Sequence, residues 1–261
     1  MIESWRSRRK TGTLRWFDVQ ALTVILWGRS IIESTMMYVA YFREPTAPEE
    51  PVVLGPTVPE EPDNTEPMTI TEDGEVVFSV EANYGALARE FGLFLIAMLY
   101  LYLRRFDFRT WNVRFTWTTP LFACLLFLGG ALLYDMYFLL TAPLAEKLPF
   151  PGPIGASFNE ETVSRVIYGL FNGMCEELYF LGICLAVAPK HLKWVFPFSL
   201  LVRVGFHTYQ GTISALGIGL VLGSFMFLAY RYSKDKNLLP FFLAHSMGDI
   251  FGLGVLPYIW S

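Results

Sequence analysis

Three short patterns place ionisable residue types that can do chemistry inside apolar runs. Glu176 and Glu177 are adjacent carboxylates inside the apolar run 172–182. Arg203 and His207 are spaced i,i+4, as are His245 and Asp249, so each of these pairs lies along one face of a helix. A buried carboxylate beside imidazoles can take a proton from water as a general base. A single acidic residue at the centre of a membrane helix costs about 2.5–3.5 kcal/mol. Two neighbouring ones therefore need partners on other helices, and ionisable groups within a membrane mark a functional site by default.

The elements that must position them are apolar. The chain has 261 residues, of which 53% are hydrophobic and 17% charged, with mean hydropathy +0.39. A soluble domain carries about 25% charged residues. The apolar residues also fall in long blocks, which predicts an all-α, polytopic integral membrane protein. Seven spans are expected, at about 19–42, 86–103, 120–140, 162–188, 194–209, 211–230 and 238–258. Residues 1–18 form a basic N-terminus (Arg6, Arg8, Arg9, Lys10, Arg15). They resemble the start of a signal peptide, but the following run is too long for one and no small-residue cleavage site follows, so it reads as an uncleaved first span. Arg29 and Glu33 in that span are placed to pair at i,i+4.

Residues 43–85 differ in kind. Seven prolines alternate with acidic residues and only Arg43 is basic, a composition that cannot bury a core and predicts an extended, mobile extracytoplasmic loop. Asp73-Gly74 between apolar residues allows a small hairpin, and a solvated connection is expected there rather than a docking site. Residues 86–261 form the membrane bundle. Loop charge sets the orientation. Fourteen of the twenty Lys and Arg fall in the N-terminus and the loops 104–118, 189–193 and 231–237. The alternate loops hold only Arg43 and Lys147, which predicts N-in, C-out. These flanks account for the basic residues, so no nucleic-acid partner is indicated; the expected partners are the lipid bilayer and a membrane-associated protein or peptide substrate. Cys124, Cys175 and Cys184 form no C-x-x-C pair and read as small buried apolar residues.

Depth tests whether the three patterns can meet. From the cytoplasmic ends, at 1.5 Å per residue, Glu176 and Glu177 lie about 18–20 Å deep, His207 about 20 Å, His245 about 12 Å and Asp249 about 18 Å. Three helices thus present carboxylates and imidazoles at similar depth, with Asn172 one turn from Glu176. A purely architectural polar knot would satisfy the same residues. The cost of unpaired polar groups in lipid weighs towards a functional site. Gly217, Gly219 and Gly223 predict close helix packing.

Glu176-Glu177-x-x-Phe180-x-Gly182, then Phe206-His207, then His245-x-x-x-Asp249 resembles the CPBP family of intramembrane proteases over about 118–254. This family includes the type II CAAX prenyl proteases and the Abi-type bacteriocin-immunity proteins. The resemblance implies catalytic roles for Glu176, Glu177, His207, His245 and Asp249, with Arg203 and Asn172 supporting, in an intramembrane endopeptidase, multi-pass in a bacterial cell membrane. Two departures bear on it. The family's usual Arg after the glutamate pair is absent, Leu181 preceding Gly182, and its usual Phe before the middle histidine is Arg203. The string Arg203-x-x-Phe206-His207-x-Tyr209-Gln210-Gly211 is similar to a bacterial subgroup that also lacks the Arg. Arg203 is therefore expected to replace the missing cation: Arg203→Leu should destabilise or inactivate, Leu181→Ala should not.

Two chemistries stay open. In one, a glutamate is the base and the histidines hold water and oxyanion without metal. In the other, Glu176, His207, His245 and Asp249 bind a divalent ion such as zinc and the second glutamate is the base. An ionised Asp249 cannot donate to an oxyanion, so it suits a ligand or an orienter of histidine. The rival functions are a non-catalytic Abi-type membrane protein for bacteriocin immunity or partner binding, and a proton-coupled transporter. No pair of broken, inversely related hydrophobic segments supports the transporter.

Overall fold

The computed structural model describes residues 11–40, 68–70, 76–145, 147 and 160–256. The basic residues of 1–10, most of the Pro-rich stretch, the Asp73-Gly74 tip and most of the loop at 141–161 lie outside the described residues. All seven expected runs are helical: α1 (Trp16–Ala40), α2 (Val80–Leu103), α3 (Thr119–Ala145), α4 (Glu160–Glu177), α5 (Leu192–His207), α6 (Thr212–Tyr232) and α7 (Leu239–Phe251). By length and composition, three helices can cross a membrane: Val80–Leu103, Thr119–Leu144 and Thr212–Tyr232. Their outer faces expose large apolar side chains, among them Phe91, Leu95 and Leu99 on α2 and Leu125, Leu132 and Leu139 on α3. In water such a belt would be an aggregation surface; against lipid chains it has no such cost. Cys124 shares that exposed face, unlike the buried Cys175 and Cys184, because it sits on the side of α3 turned away from the bundle.

Several boundaries differ from expectation for local reasons. Helix α2 starts inside the expected loop, because Ser79 Oγ accepts the Ala82 N–H at 3.1 Å and caps it. Just before it, β1 (Met68–Ile70) and β2 (Val76–Phe78) pair antiparallel, Thr69 opposite Val77, where the sequence allows a small hairpin. Helix α7 stops at Phe251, not 258, where Gly252 takes φ 90. Helix α5 ends at His207, followed by a 3-10 turn (Thr208–Gln210) and Gly211 at φ 83.

Two helices widen locally. Residues Leu178–Ile183 continue α4 as a π-helix, and Gly217–Leu222 form a second π segment within α6. The first begins directly after Glu177, and such segments recur at functional sites. Its carbonyl at Gly182 accepts the Trp111 indole N–H at 3.1 Å.

Close packing at glycines sets the helix distances. A Cβ at Gly173 would stand 2.5 Å from Ser246 Oγ, 2.8 Å from Ser246 N and 3.0 Å from the Phe242 carbonyl, so α4 and α7 meet backbone to backbone. Gly169, one turn earlier, meets Asp249 Cβ in the same way. This small-xxx-small stripe is the contact that joins two of the polar patterns. Gly219 and Gly223 do the same for α6 against Val204, Leu200 and Arg203 of α5. Leu181 is 2% exposed, in a core with Leu178, Met226, Phe227 and Phe241. The expectation that Leu181→Ala is silent is therefore corrected: that side chain is a core residue, and truncation leaves a cavity.

One end of the bundle is knitted from the basic loops. Thr11 N donates to the Arg105 carbonyl (3.1 Å), Leu14 N to Ala186 (2.6 Å) and Leu238 N to Asn112 (2.8 Å). Arg104 Nε meets the buried Asp18 carboxylate at 2.8 Å, and Lys236 Nζ donates to the Tyr230 and Ser233 carbonyls at the end of α6. The N-terminal segment and the loops after α2, α4 and α6 thus share one face.

Candidate active site

Glu177 is the buried centre of the cluster. Its side chain is 0% exposed, and Oε1 accepts from Arg203 Nη2 at 2.7 Å and from His245 Nδ1 at 2.7 Å. Arg203 comes from α5 and His245 from α7, so one carboxylate ties three helices. Because Oε1 is an acceptor, His245 Nδ1 carries the hydrogen and Nε2 is left to face the other way. The Arg203 guanidinium lies 4.0 Å from the centre of the Phe180 ring, a cation–π contact. Phe180 in turn packs against Trp27 of α1, on which Phe206 stacks at 4.6 Å. These flat rings pin the arginine from below.

Glu176 is held differently. Its Oε1 accepts from Asn172 Nδ2 at 3.2 Å, one helical turn earlier. Its Oε2 is buried and, among the described residues, has no hydrogen-bond partner; it stands 3.7 Å from His245 Nε2. Asn172 Nδ2 also donates to Asp249 Oδ2 at 2.9 Å, and Asp249 Oδ1 lies 3.6 Å from His245 Nε2. His245 Nε2 therefore faces two carboxylate oxygens, both beyond hydrogen-bond length. Glu177 Oε2 also lacks a partner, but it lies in the fully enclosed part of the cluster.

His207 joins through the backbone. Its Nδ1 lies 2.7 Å from the Arg203 carbonyl, an acceptor only, so Nδ1 carries the hydrogen and Nε2 presents a lone pair. The structure thus brings Asn172, Glu176, Glu177, Arg203, His245 and Asp249 into one network of side-chain contacts, and sets His207 one turn beyond Arg203. Among the described residues, no group of three or more His, Cys, Asp or Glu side chains is disposed to hold a metal ion.

Glu90 and Tyr168 near the cluster escaped the sequence reading, and Tyr209 entered it only within a motif string. Glu90 of α2 is an acid inside an apolar run. Its Oε1 accepts from Tyr168 OH at 2.8 Å, and it lies within electrostatic range of Glu176 and Asp249. Tyr168, Asn172 and Glu176 follow one another at i,i+4 along α4, a polar stripe that the sequence contains but that no motif flags. Tyr209, beside the α5 terminus, accepts from Gln210 Nε2 at 2.9 Å and is within range of Asp249 and Glu176.

Residues 157–251 match the family model described as type II CAAX prenyl endopeptidase Rce1-like. Over this stretch, less than half of the chain, the protein is similar to the CPBP/CAAX proteases. The match spans α4 to α7, the four helices that hold every network residue described above except Glu90. Helices α1 to α3, which supply Trp27 and Glu90, lie outside it. Comparison with curated proteins and with solved structures found no match. This likeness supports intramembrane protease activity of the CAAX type.

Proposed function

We propose that this protein is an intramembrane endopeptidase in which Glu176 activates water. One observation carries the reading: the buried, unpartnered Glu176 Oε2 faces His245 Nε2 across 3.7 Å. Two polar atoms at that separation can be bridged by a water molecule. Such a water donates one hydrogen to Glu176 Oε2 and is held on its other side by His245 Nε2, which leaves an oxygen lone pair for a scissile carbonyl. Glu176 takes the proton as the oxygen attacks, and returns it to the amine when the C–N bond breaks. Glu177 serves a different purpose. Its Oε1 is committed to Arg203 and His245, so it fixes the imidazole tautomer and orientation. Tyr209 accepts a hydrogen bond and keeps its own O–H, which supplies a donor for the developing oxyanion.

The test compares new protein N-termini in membranes from cells expressing wild type or Glu176→Gln. Cleavages present in the first and absent in the second support the reading. Identical profiles, with both proteins at equal level, sink it and favour a non-catalytic Abi-type membrane protein.

A further inference from the structure

The polar cluster lies at the end of two short helices. Helix α5 has 16 residues and α7 has 13, about 24 and 20 Å long, against a hydrocarbon core about 30 Å thick. Helices α2 and α3 have 24 and 27 residues, about 36 and 40 Å. All four have one terminus at the face built from the basic loops. The short pair therefore stops part-way through the bundle, and His207 and Asp249 occupy their last turns. The floor of the recess so formed is the catalytic cluster.

Exposure follows the same direction. The side chains are 0% exposed at Glu177, 4% at Glu176, 12% at His245 and 23% at Asp249, the residue farthest from the basic face. The α4 wall stays polar above Glu176, through Asn172 to Tyr168 with Glu90 beside it, for two turns or about 12 Å. Such a wall admits water. Tyr38 meets Thr212 at 2.5 Å and Ser34 Oγ accepts the Tyr209 N–H at 2.8 Å, which puts the end of α1 beside the recess.

We propose that the site is entered from the face opposite the basic loops. By the positive-inside rule that face is extracytoplasmic. The substrate class is then a polypeptide segment displayed on the extracytoplasmic side of the membrane, such as the juxtamembrane stretch of an exported or membrane-anchored protein. A lipidated tail presented from the cytoplasm meets the closed, basic face. This inference rests on the protease reading for its substrate, but not for its geometry.

Two measurements separate the two. In intact bacterial cells, a membrane-impermeant maleimide should label Gln210→Cys and Lys147→Cys as fully as in permeabilised cells. Lys234→Cys should label only after permeabilisation, each read against the parent with its own three cysteines. The reverse pattern overturns the inference, and Lys147 decides if the Gln210 variant does not accumulate. In the N-terminal profiles, Glu176-dependent cleavages should fall in extracytoplasmic segments. Cleavages confined to cytoplasmic segments overturn the inference while leaving the protease reading intact. No Glu176-dependent cleavage removes the protease reading and the substrate class with it, whereas the labelling still decides which face is open.

Discussion

Arg203 Nη2 lies 2.7 Å from Glu177 Oε1, and both side chains are almost wholly enclosed. The positive charge that the family's pattern places after the glutamate pair is here delivered from the next helix. Removing one partner of such a pair strands the other as a buried charge, at about 3–5 kcal/mol. Arg203→Leu should therefore lower the melting temperature in detergent and the membrane level of the protein sharply. Arg203→Lys should recover part of the loss, since an ammonium supplies the charge but not the planar group over Phe180. Wild-type melting of the Leu variant would refute the assignment.

The two glutamates should separate by phenotype. Glu176→Gln keeps an acceptor for Asn172 but no base, so the protein should accumulate normally while cleavage falls by about 10²–10⁴. Glu177→Gln weakens the tie to Arg203 and His245, so stability should fall along with activity. Melting curves and cleavage assays on the same preparations check both, and a Glu176→Gln protein that cleaves at the wild-type rate would exclude it as the base.

Gly173 permits the backbone contact between α4 and α7, and what its Cβ would meet includes main-chain atoms that cannot swing aside. Gly173→Ala should cost about 1–3 kcal/mol and reduce activity by moving His245 away from Glu176. Gly85→Ala is the control, because nothing stands within 4 Å of its Cβ and alanine favours the helix. Equal melting temperatures for the two variants would show that the α4–α7 spacing is not set there.

Leu181→Ala should lower stability by about 2–5 kcal/mol through the cavity it leaves. Cleavage per folded molecule should stay near wild type, because Leu181 faces the core and not the reacting groups. A loss of turnover without a loss of stability would contradict this.

Much of the architecture was legible because membrane helices obey a strong one-dimensional rule. Apolar runs marked where the helices lie, three of them long and apolar enough to cross a membrane, and the rarity of carboxylates and imidazoles in such runs singled out Glu176, Glu177, His207, His245 and Asp249. Their roles were not legible. Adjacent glutamates are alike in sequence, and only the approach of Arg203 and His245 to Glu177 distinguishes the braced one from the one whose uncommitted oxygen faces His245 Nε2. Glu90 and Tyr168 stayed hidden because they meet across helices far apart in the chain.

By itself, the sequence determined the helical class, the basic loops and the chemistry available, since composition and periodicity are local. Tertiary structure decided which carboxylate is committed, where Leu181 points, and in which direction exposure rises from Glu177 to Asp249. Those properties depend on distances between segments, set by the packing of Gly169 and Gly173 on α7 and of α5 on α6, and no local pattern encodes a distance between helices.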